Sequence, residues 1–235
     1  MMWTAQRTVV LRRALEIIGV RRTGYFIPHR FTDGYGVHRQ ALERAQAEGY
    51  KLVISVDCGI RAHEPLRWAR AHGLDCIVTD HHLPDADAGV PPALSVLNPN
   101  QSDCSYPDKN LAGVGVAFKL AHALFKAKGK EDLIEGFLKV VAIGTVADVA
   151  PLVGENRVFV ALGLLGLPRA TNHGLRALLS VAGCCEENGS AKATISARDL
   201  VSHRPAHQRR GPHGRRARRR RTLRGADRRR GAALG

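Results

Sequence analysis

The sequence predicts an α/β fold: a doubly wound parallel sheet, then a mostly helical segment, then a disordered basic tail. Apolar runs such as "KLVISVDCG" and "LDCIVTDHH" alternate with amphipathic helical patterns. This β-α-β order with short connections is typical of parallel sheets. From about Gly113 the periodicity becomes helical, and after Leu200 it disappears. We therefore predict one domain over 1–200 and a tail over 201–235.

Local patterns predict each element in chain order. A helix begins near Thr8 and ends at Gly19, and a short strand follows in "GYFIPH". The helix "GVHRQALERAQAEG" leads to the strand "KLVISVDCG", whose continuous apolar character fits burial on both faces. A short helix, "HEPLRWARAHG", precedes the strands "LDCIVTDHH" and "ALSVLNPN". Four helices are predicted next, in "GVGVAFKLAHALFKA", "EDLIEGFLKVVAIGTVADV", "NRVFVALGLLGL" and "HGLRALLSVAG", and then a polar turn with a short strand or loop in "ENGSAKATISARD".

The formal charge of +15 is concentrated in the tail. Residues 201–235 hold 13 arginines and one acid, Asp227, so the body is nearly balanced and the overall charge is not evidence of DNA binding. The five cysteines include no CxxC pair, which argues against a disulfide framework. The best apolar run, "VVAIGTVADVAPLV", is too short to span a membrane and contains Asp148. These features predict a soluble cytoplasmic protein that binds no membrane, and we expect a monomer.

Polar side chains follow two successive strands. Asp57 ends "LVISVD", and Asp80, His81 and His82 end "CIVTDHH". Ligands of open α/β sheets bind outside the carboxyl ends of the strands, so these groups should converge on one crevice. Carboxylate and imidazole together suit Mn²⁺ and related ions. Alternatively, Asp57 caps the next helix and the histidines are surface loop residues, but two polar strand ends in succession favour a site.

Two further features are candidates for the same site. Asp148 stands in an apolar stretch, where an aspartate needs a partner; it is either a metal ligand or a solvent-facing acid at a helix end. Gly113 and Gly115 open a helix and could present amides to a phosphate, with Lys119 assisting. The glycines could equally allow close helix packing, which we favour. Their spacing is not that of a Walker A motif.

Five segments carry a resemblance to a known family. "SVDCG", "VTDHH" and "GTVADVAPLVGENR" resemble motifs of the DHH phosphoesterase superfamily, and "IPHRFTDGYG" and "LAGVGVAFKLAHAL" resemble its RecJ-type branch. The resemblance runs from about Thr8 to Leu200. It implies a 5′→3′ exonuclease specific for single-stranded DNA, active in DNA repair and recombination, that uses Mn²⁺ or Mg²⁺ in a two-metal hydrolysis releasing 5′-mononucleotides.

The resemblance also implies roles for individual residues. Asp57 would bridge two metal ions, and His81 and Asp148 would be further ligands. His82 would lie near the scissile phosphate. Asp80 would ligate a metal ion or orient the site.

One motif of the family has no counterpart in the chain. The family carries Asp-Tyr-Asp-x-Asp-Gly just before the helix matched by "TVVLRRALEIIG", where this chain reads "MMWTAQR". Because Met and Trp have single codons, Met1 to Trp3 is ATG ATG TGG, and Thr4 begins with AC. Read from the third base of Met1, this gives Asp-Val-Asp. We therefore expect a frame difference at this point and low activity for the chain as written.

The tail allows a similar interpretation. With G or C at most third positions, "HRPAHQRRGPHG" read from the second base of each codon yields Ile-Ala-Pro-Arg-Ile-Asn-Ala-Ala-Gly-Arg-Met-Gly. That resembles a family segment that leads toward a second, DHHA1-type domain. The alternative is a genuine basic tail that binds phosphate backbones.

Two other functions remain open from the sequence. One is a different DHH phosphoesterase, acting on pyrophosphate, short oligoribonucleotides or cyclic dinucleotides. The other is a non-catalytic nucleic-acid-binding protein that uses the tail and a degenerate site. The segments "GTVADVAPLVGENR" and "LAGVGVAFK" favour the exonuclease over both.

Overall fold

Three short strands form a parallel sheet: β1 (Leu52–Val56), β2 (Asp75–Thr79) and β3 (Ser95–Leu97). The strand order is β1-β2-β3, and Val78 of β2 lies between Ser55 and Val96 of its neighbours. All three strands therefore end at the same edge of the sheet. The computed structural model describes residues 2–28, 34–186 and 190–202, so the predictions made for the tail lie outside the described residues.

Eight α-helices accompany the sheet in the part of the chain that the structure describes: α1 (Met2–Ile17), α2 (Arg39–Ala47), α3 (His63–Ala71), α4 (Gly113–Ala127), α5 (Leu138–Ala147), α6 (Gly154–Gly166), α7 (His173–Val181) and α8 (Ala197–Ser202). Two 3₁₀ segments, Glu131–Phe137 and Leu167–Arg169, precede α5 and follow α6. No helix among the described residues is long and apolar enough to cross a membrane.

Alternate strand residues serve two separate cores, as the period of two in a strand requires. On one face, Cys76 and Val78 of β2 belong to a buried cluster with Leu42 of α2 and Leu66 of α3. On the other face, strand residues such as Val56 pack against the larger core formed around α1 and α4. The predicted α/β fold with helices on both faces of a parallel sheet is therefore confirmed.

The prediction of a strand in "GYFIPH" was wrong for residues 24–28, the part of this segment that the structure describes. Gly24–Pro28 forms no strand, and the side chains of Tyr25 and Phe26 are about half exposed. The guanidinium of Arg12, in α1, lies 5.2 Å from the centre of the Tyr25 ring. Aromatic residues raise β propensity only where a pleated surface packs against them. Here Tyr25 lies beside Arg12 of α1 rather than in a sheet, and Pro28 offers no amide to a neighbouring strand.

A short helix replaces the loop or strand predicted near "ATISARD". α8 starts directly after Ser196, whose amide and hydroxyl both donate to Asp199 Oδ2, at 2.8 and 2.7 Å. The Asp199 amide donates to Ser196 Oγ in return, at 3.3 Å. This reciprocal pair is a capping box, in which two otherwise unpartnered amides at the start of a helix are satisfied. The signal Ser-x-x-Asp was present in the sequence and was missed.

The helical segment brings Asp148 to the sheet. α5 is buried along most of its length and packs closely on α6. Gly163 makes this approach possible, because a Cβ there would lie 2.9 Å from the carbonyl carbon of Leu138. α5 also contacts α1, which packs on the sheet face. Asp148 immediately follows the last residue of α5, so the position of its carboxylate is set by this packing.

Candidate metal centre

Asp57 lies in the turn that follows β1, with a backbone that favours glycine. Its φ is 61°, in the left-handed region, and its side chain is only 4% exposed. Its amide donates to the Thr79 carbonyl at 2.7 Å, and the Tyr35 hydroxyl donates to its carbonyl, also at 2.7 Å. Burial raises the pKa of Tyr35 to about 12, so the phenol keeps its proton. A left-handed aspartate costs free energy and persists only where its surroundings hold it, which is common at functional sites.

Asp80 is a buried acceptor that organises the loop after β2. Its Oδ1 accepts from the amides of His81 and His82 at 2.8 and 3.2 Å, and from Nδ1 of His82 at 2.7 Å. Its Oδ2 accepts from the Ile60 amide at 3.0 Å. Burial alone would raise the pKa of Asp80, but the bonds from His82 and the backbone amides outweigh it and hold this pKa below its usual value.

His82 is the more accessible of the two histidines. Its side chain is 47% exposed, and its ring lies edge-on to Tyr35 and His81, with centroid distances of 6.1 and 4.5 Å. The hydrogen bond to Asp80 raises the pKa of His82. Because Nδ1 donates to that carboxylate, Nε2 is the ring nitrogen available to a ligand.

Two asparagines after β3 hold the histidine loop from the other side. Asn98 Nδ2 donates to the His82 carbonyl at 2.8 Å, and Asn100 Nδ2 donates to the His81 carbonyl at 2.7 Å. Asn98 Oδ1 in turn accepts from the Asn100 amide at 2.8 Å. The loop is therefore fixed by side chains from the neighbouring strand end as well as by Asp80.

Asp57, His81 and Asp148 converge at the carboxyl edge of the sheet. His81 Nε2 lies 3.0 Å from Asp57 Oδ1 and 3.4 Å from Asp148 Oδ2. The residue after Asp148, Val149, has a φ of 59°, which is unusual for a β-branched side chain and turns the chain sharply at this point. Burial lowers the pKa of His81, despite the nearby carboxylate of Asp148, so its neutral form, the one that ligates metals, is favoured.

The donors present fit a divalent cation. Asp57 Oδ1 and Asp148 Oδ2 are buried and make no hydrogen bond within the described residues. Asp57, His81 and His82 also offer ligand atoms that all lie within 4.8 Å of one another. Two orphaned carboxylate oxygens facing an imidazole would be costly without a cation between them. Oxygen and nitrogen donors of this kind suit Mn²⁺ or Mg²⁺.

Gly113 and Gly115 begin α4 beside the cluster. A Cβ on Gly113 would lie 2.6 Å from the Cβ of Asp57, so only glycine lets α4 come this close to that carboxylate. A Cβ on Gly115 would lie 3.2 Å from Leu111 Cδ2. These contacts favour the packing interpretation of the two glycines, and their role toward a phosphate stays a prediction.

Lys119 is turned toward another partner. Its ammonium lies 2.7 Å from Glu155 Oε1, and the Tyr106 hydroxyl donates to the other oxygen of that carboxylate. The side chain of Lys119 is 35% exposed, and its ammonium is paired with the carboxylate of Glu155. A phosphate contact by Lys119 also stays a prediction.

Four residues of the centre were missed in the sequence: Arg7, Tyr35, Asn98 and Asn100. Tyr35 lies within the segment "IPHRFTDGYG", and the two asparagines lie at the end of a predicted strand, so polar residues at strand ends were a usable signal for them. Arg7 had no such signal. It lies in α1, and its guanidinium contacts both Asp57 and Asp148, with Nη2 2.6 Å from Asp148 Oδ1.

Comparison with known proteins shows a family and several relatives. The family model described as "DHH family, N-terminal domain" matches residues 6–145. The single-stranded-DNA-specific exonuclease RecJ of Bacillus subtilis (strain 168) is 44% identical over 176 residues, which are 75% of this chain and 21% of that protein. The RecJ of Escherichia coli (strain K12) is 39% identical over 189 residues, covering 76% of this chain and 32% of that protein.

Two solved structures have a similar fold. A crystal structure of exonuclease RecJ bound to manganese matches with a TM-score of 0.69 and 36% identity, over 83% of this chain and 46% of that chain. A crystal structure of RecJ in complex with Mn²⁺ from Thermus thermophilus matches with a TM-score of 0.62 and 36% identity, over 76% of this chain and 25% of that one. The chain thus spans less than half the length of these relatives.

Proposed function

This chain belongs to the DHH family, and from that membership we propose that its cluster of Asp57, His81 and Asp148 is a Mn²⁺- or Mg²⁺-dependent phosphodiesterase centre acting on single-stranded DNA. The relatives named RecJ are exonucleases specific for single-stranded DNA, and two are known with manganese. We infer the same substrate class here, with removal of nucleotides from the 5′ end. Roles in DNA repair and recombination, and a monomeric state, belong to the same proposal.

The convergence of three donors carries the proposal. Asp57 Oδ1 and Asp148 Oδ2 lie 3.0 and 3.4 Å from His81 Nε2, and neither oxygen makes a hydrogen bond within the described residues. The three residues come from the ends of β1, β2 and α5, far apart in sequence. A constellation assembled in this way at the carboxyl edge of a parallel sheet is characteristic of a ligand site.

The residues around the cluster have distinct roles. A bound divalent ion would supply charge stabilisation and a more acidic water. The side chain of His82 is 47% exposed and its Nε2 is not used by the bond to Asp80. Its raised pKa increases the fraction of His82 that carries a proton on Nε2 at neutral pH. That proton can be donated to an oxygen of the phosphate. Asp80 holds the ring in this orientation, and so acts as a positioning residue.

The test is a nuclease assay on the full chain. With enzyme in excess and Mn²⁺ present, we expect slow release of 5′-mononucleotides from a single-stranded oligonucleotide labelled at its 5′ end, and none from a blunt duplex. Asp57→Asn and addition of EDTA should both abolish the release. No release at all, or a rate unchanged in Asp57→Asn, would contradict the proposal.

A further inference from the structure

Arg7 is buried inside the carboxylate cluster rather than placed on the surface. Its side chain is 7% exposed, whereas arginine is seldom this deeply buried unless it is paired. One terminal nitrogen, Nη1, contacts Asp57 Oδ2, and the other, Nη2, lies 2.6 Å from Asp148 Oδ1. A single guanidinium therefore spans two carboxylates that are far apart in the sequence.

The two carboxylates divide their oxygens between two faces. Asp57 Oδ2 and Asp148 Oδ1 face Arg7, while Asp57 Oδ1 and Asp148 Oδ2 face His81. On the His81 face, Nε2 of His81 lies 3.0 Å from Asp57 Oδ1 and 3.4 Å from Asp148 Oδ2. Neither of these oxygens makes a hydrogen bond within the described residues. Ligands about 2.1 Å from an octahedral ion lie about 3 Å from one another, so this face has the spacing of ligands around one ion.

The face toward Arg7 is already filled by a cation. We propose that the guanidinium of Arg7 is a fixed positive charge in one half of the cluster, so that the chain binds a single divalent ion, through Asp57, His81 and Asp148, and binds it weakly. This inference rests on the proposed function, since it concerns the metal of the same site. It departs from the pair of ions that the family resemblance implies.

The position of Arg7 affects both the charge of the cluster and its ability to bind and activate water. Two carboxylates carry two negative charges, and Arg7 neutralises one of them before any metal binds. Arginine remains protonated in proteins and has no acceptor, so it can neither ligate a water nor give it up. The guanidinium of Arg7 therefore supplies a positive charge where a second metal ion would bind, but it cannot hold a water molecule as that ion would.

Manganese binding to the full chain tests the inference. Free Mn²⁺ is measured by electron paramagnetic resonance during titration, and only sites lost in Asp57→Asn are counted. We expect one ion per chain in the unmodified protein. Arg7→Met should bind Mn²⁺ at least tenfold more tightly, because the competing charge is gone, whereas Arg7→Lys, which keeps the charge, should bind about as weakly as the unmodified chain.

Arg12→Met is the matched control. Arg12 also lies in α1 and also pairs with an acid, Glu16, but on the surface, so its replacement should leave Mn²⁺ affinity unchanged. Equal affinity in Arg7→Met and the unmodified chain would overturn the inference and leave the metal centre standing. No Asp57-dependent binding in any variant would overturn the metal centre as well. If Arg7→Met does not fold, the unmodified chain decides alone: two Asp57-dependent ions overturn the inference, and one supports it.

Discussion

Asp80 and His82 are linked by a short hydrogen bond, 2.7 Å from His82 Nδ1 to Asp80 Oδ1. Asp80 is 1% exposed and bonded through both oxygens, so its carboxylate cannot turn toward the cluster without losing those bonds. His82 is partly open to solvent, and in the function proposed above it is the residue that would donate a proton to the substrate. The two residues thus act together, since Asp80 fixes the ring of His82 and that ring presents its outer nitrogen.

Replacing Asp80 by asparagine should lower the pKa of His82 toward the ordinary value of about 6.5. Because the folded-state pKa of His82 is raised, its contribution to stability is present below the unfolded pKa and is lost as pH rises through the folded pKa. That pH dependence should shrink in Asp80→Asn. The measurement is a proton NMR titration of His82 in EDTA.

Glu131→Gln is the control for this titration, because it removes the carboxylate partner of a different histidine, His122. It should leave the titration of His82 unchanged. A pKa of His82 that is the same in Asp80→Asn as in the unmodified chain would show that the hydrogen bond does not set it.

Gly113→Ala should damage the centre through sterics alone. The added methyl group would collide with the side chain of Asp57 and displace its carboxylate. We expect at least a tenfold loss of Mn²⁺ affinity and a loss of about 1–3 kcal/mol in the free energy of unfolding, as is usual for overpacking. Gly136→Ala is the matched control, since a Cβ there meets nothing within 4 Å. Unchanged Mn²⁺ affinity in Gly113→Ala would contradict the contact.

Among the helices, α6 is hydrogen-bonded to the start of α4 through a buried side chain. Asn156 of α6 is fully buried, and its Oδ1 accepts from the Ala112 amide at the start of α4 at 3.2 Å. Its Nδ2 donates to the carbonyls of Asn110 and Pro151, at 2.6 and 3.0 Å. This residue therefore ties the start of α4, next to Asp57, to the chain that follows Asp148.

Asn156→Ala should lower the free energy of unfolding by about 2–3 kcal/mol, because it leaves the buried Ala112 amide without its acceptor and removes two further hydrogen bonds. Urea denaturation measures the loss. The control is Asn172→Ala, which removes an exposed cap whose Oδ1 accepts from the Leu175 amide at 3.0 Å, and which should cost about 1 kcal/mol. Equal losses in the two variants would show that the buried network contributes little.

Over the whole molecule, the features that could be predicted from the sequence were those with a local pattern. Continuous apolar runs marked β1 and β2, and polar residues directly after them marked Asp57 and the Asp80–His82 group. Aromatic residues at 25–26 were misread as a strand, because propensity does not reveal what they pack against.

Long-range contacts could not be predicted in this way. The approach of Arg7 to Asp57 and Asp148 depends on how α1 packs against α5 and the sheet, and no local signal encodes it. The collision that Gly113 avoids is likewise visible only once α4 lies beside Asp57.

The most direct test of a metal centre built by the whole fold is a crystal structure of the full chain grown with Mn²⁺, with diffraction recorded at the manganese absorption edge. We expect one anomalous peak within bonding distance of Asp57, His81 and Asp148, with Arg7 still in contact with the opposite carboxylate oxygens. A saturated crystal with no peak at these residues, or with Asp148 turned away from the ion, would contradict it.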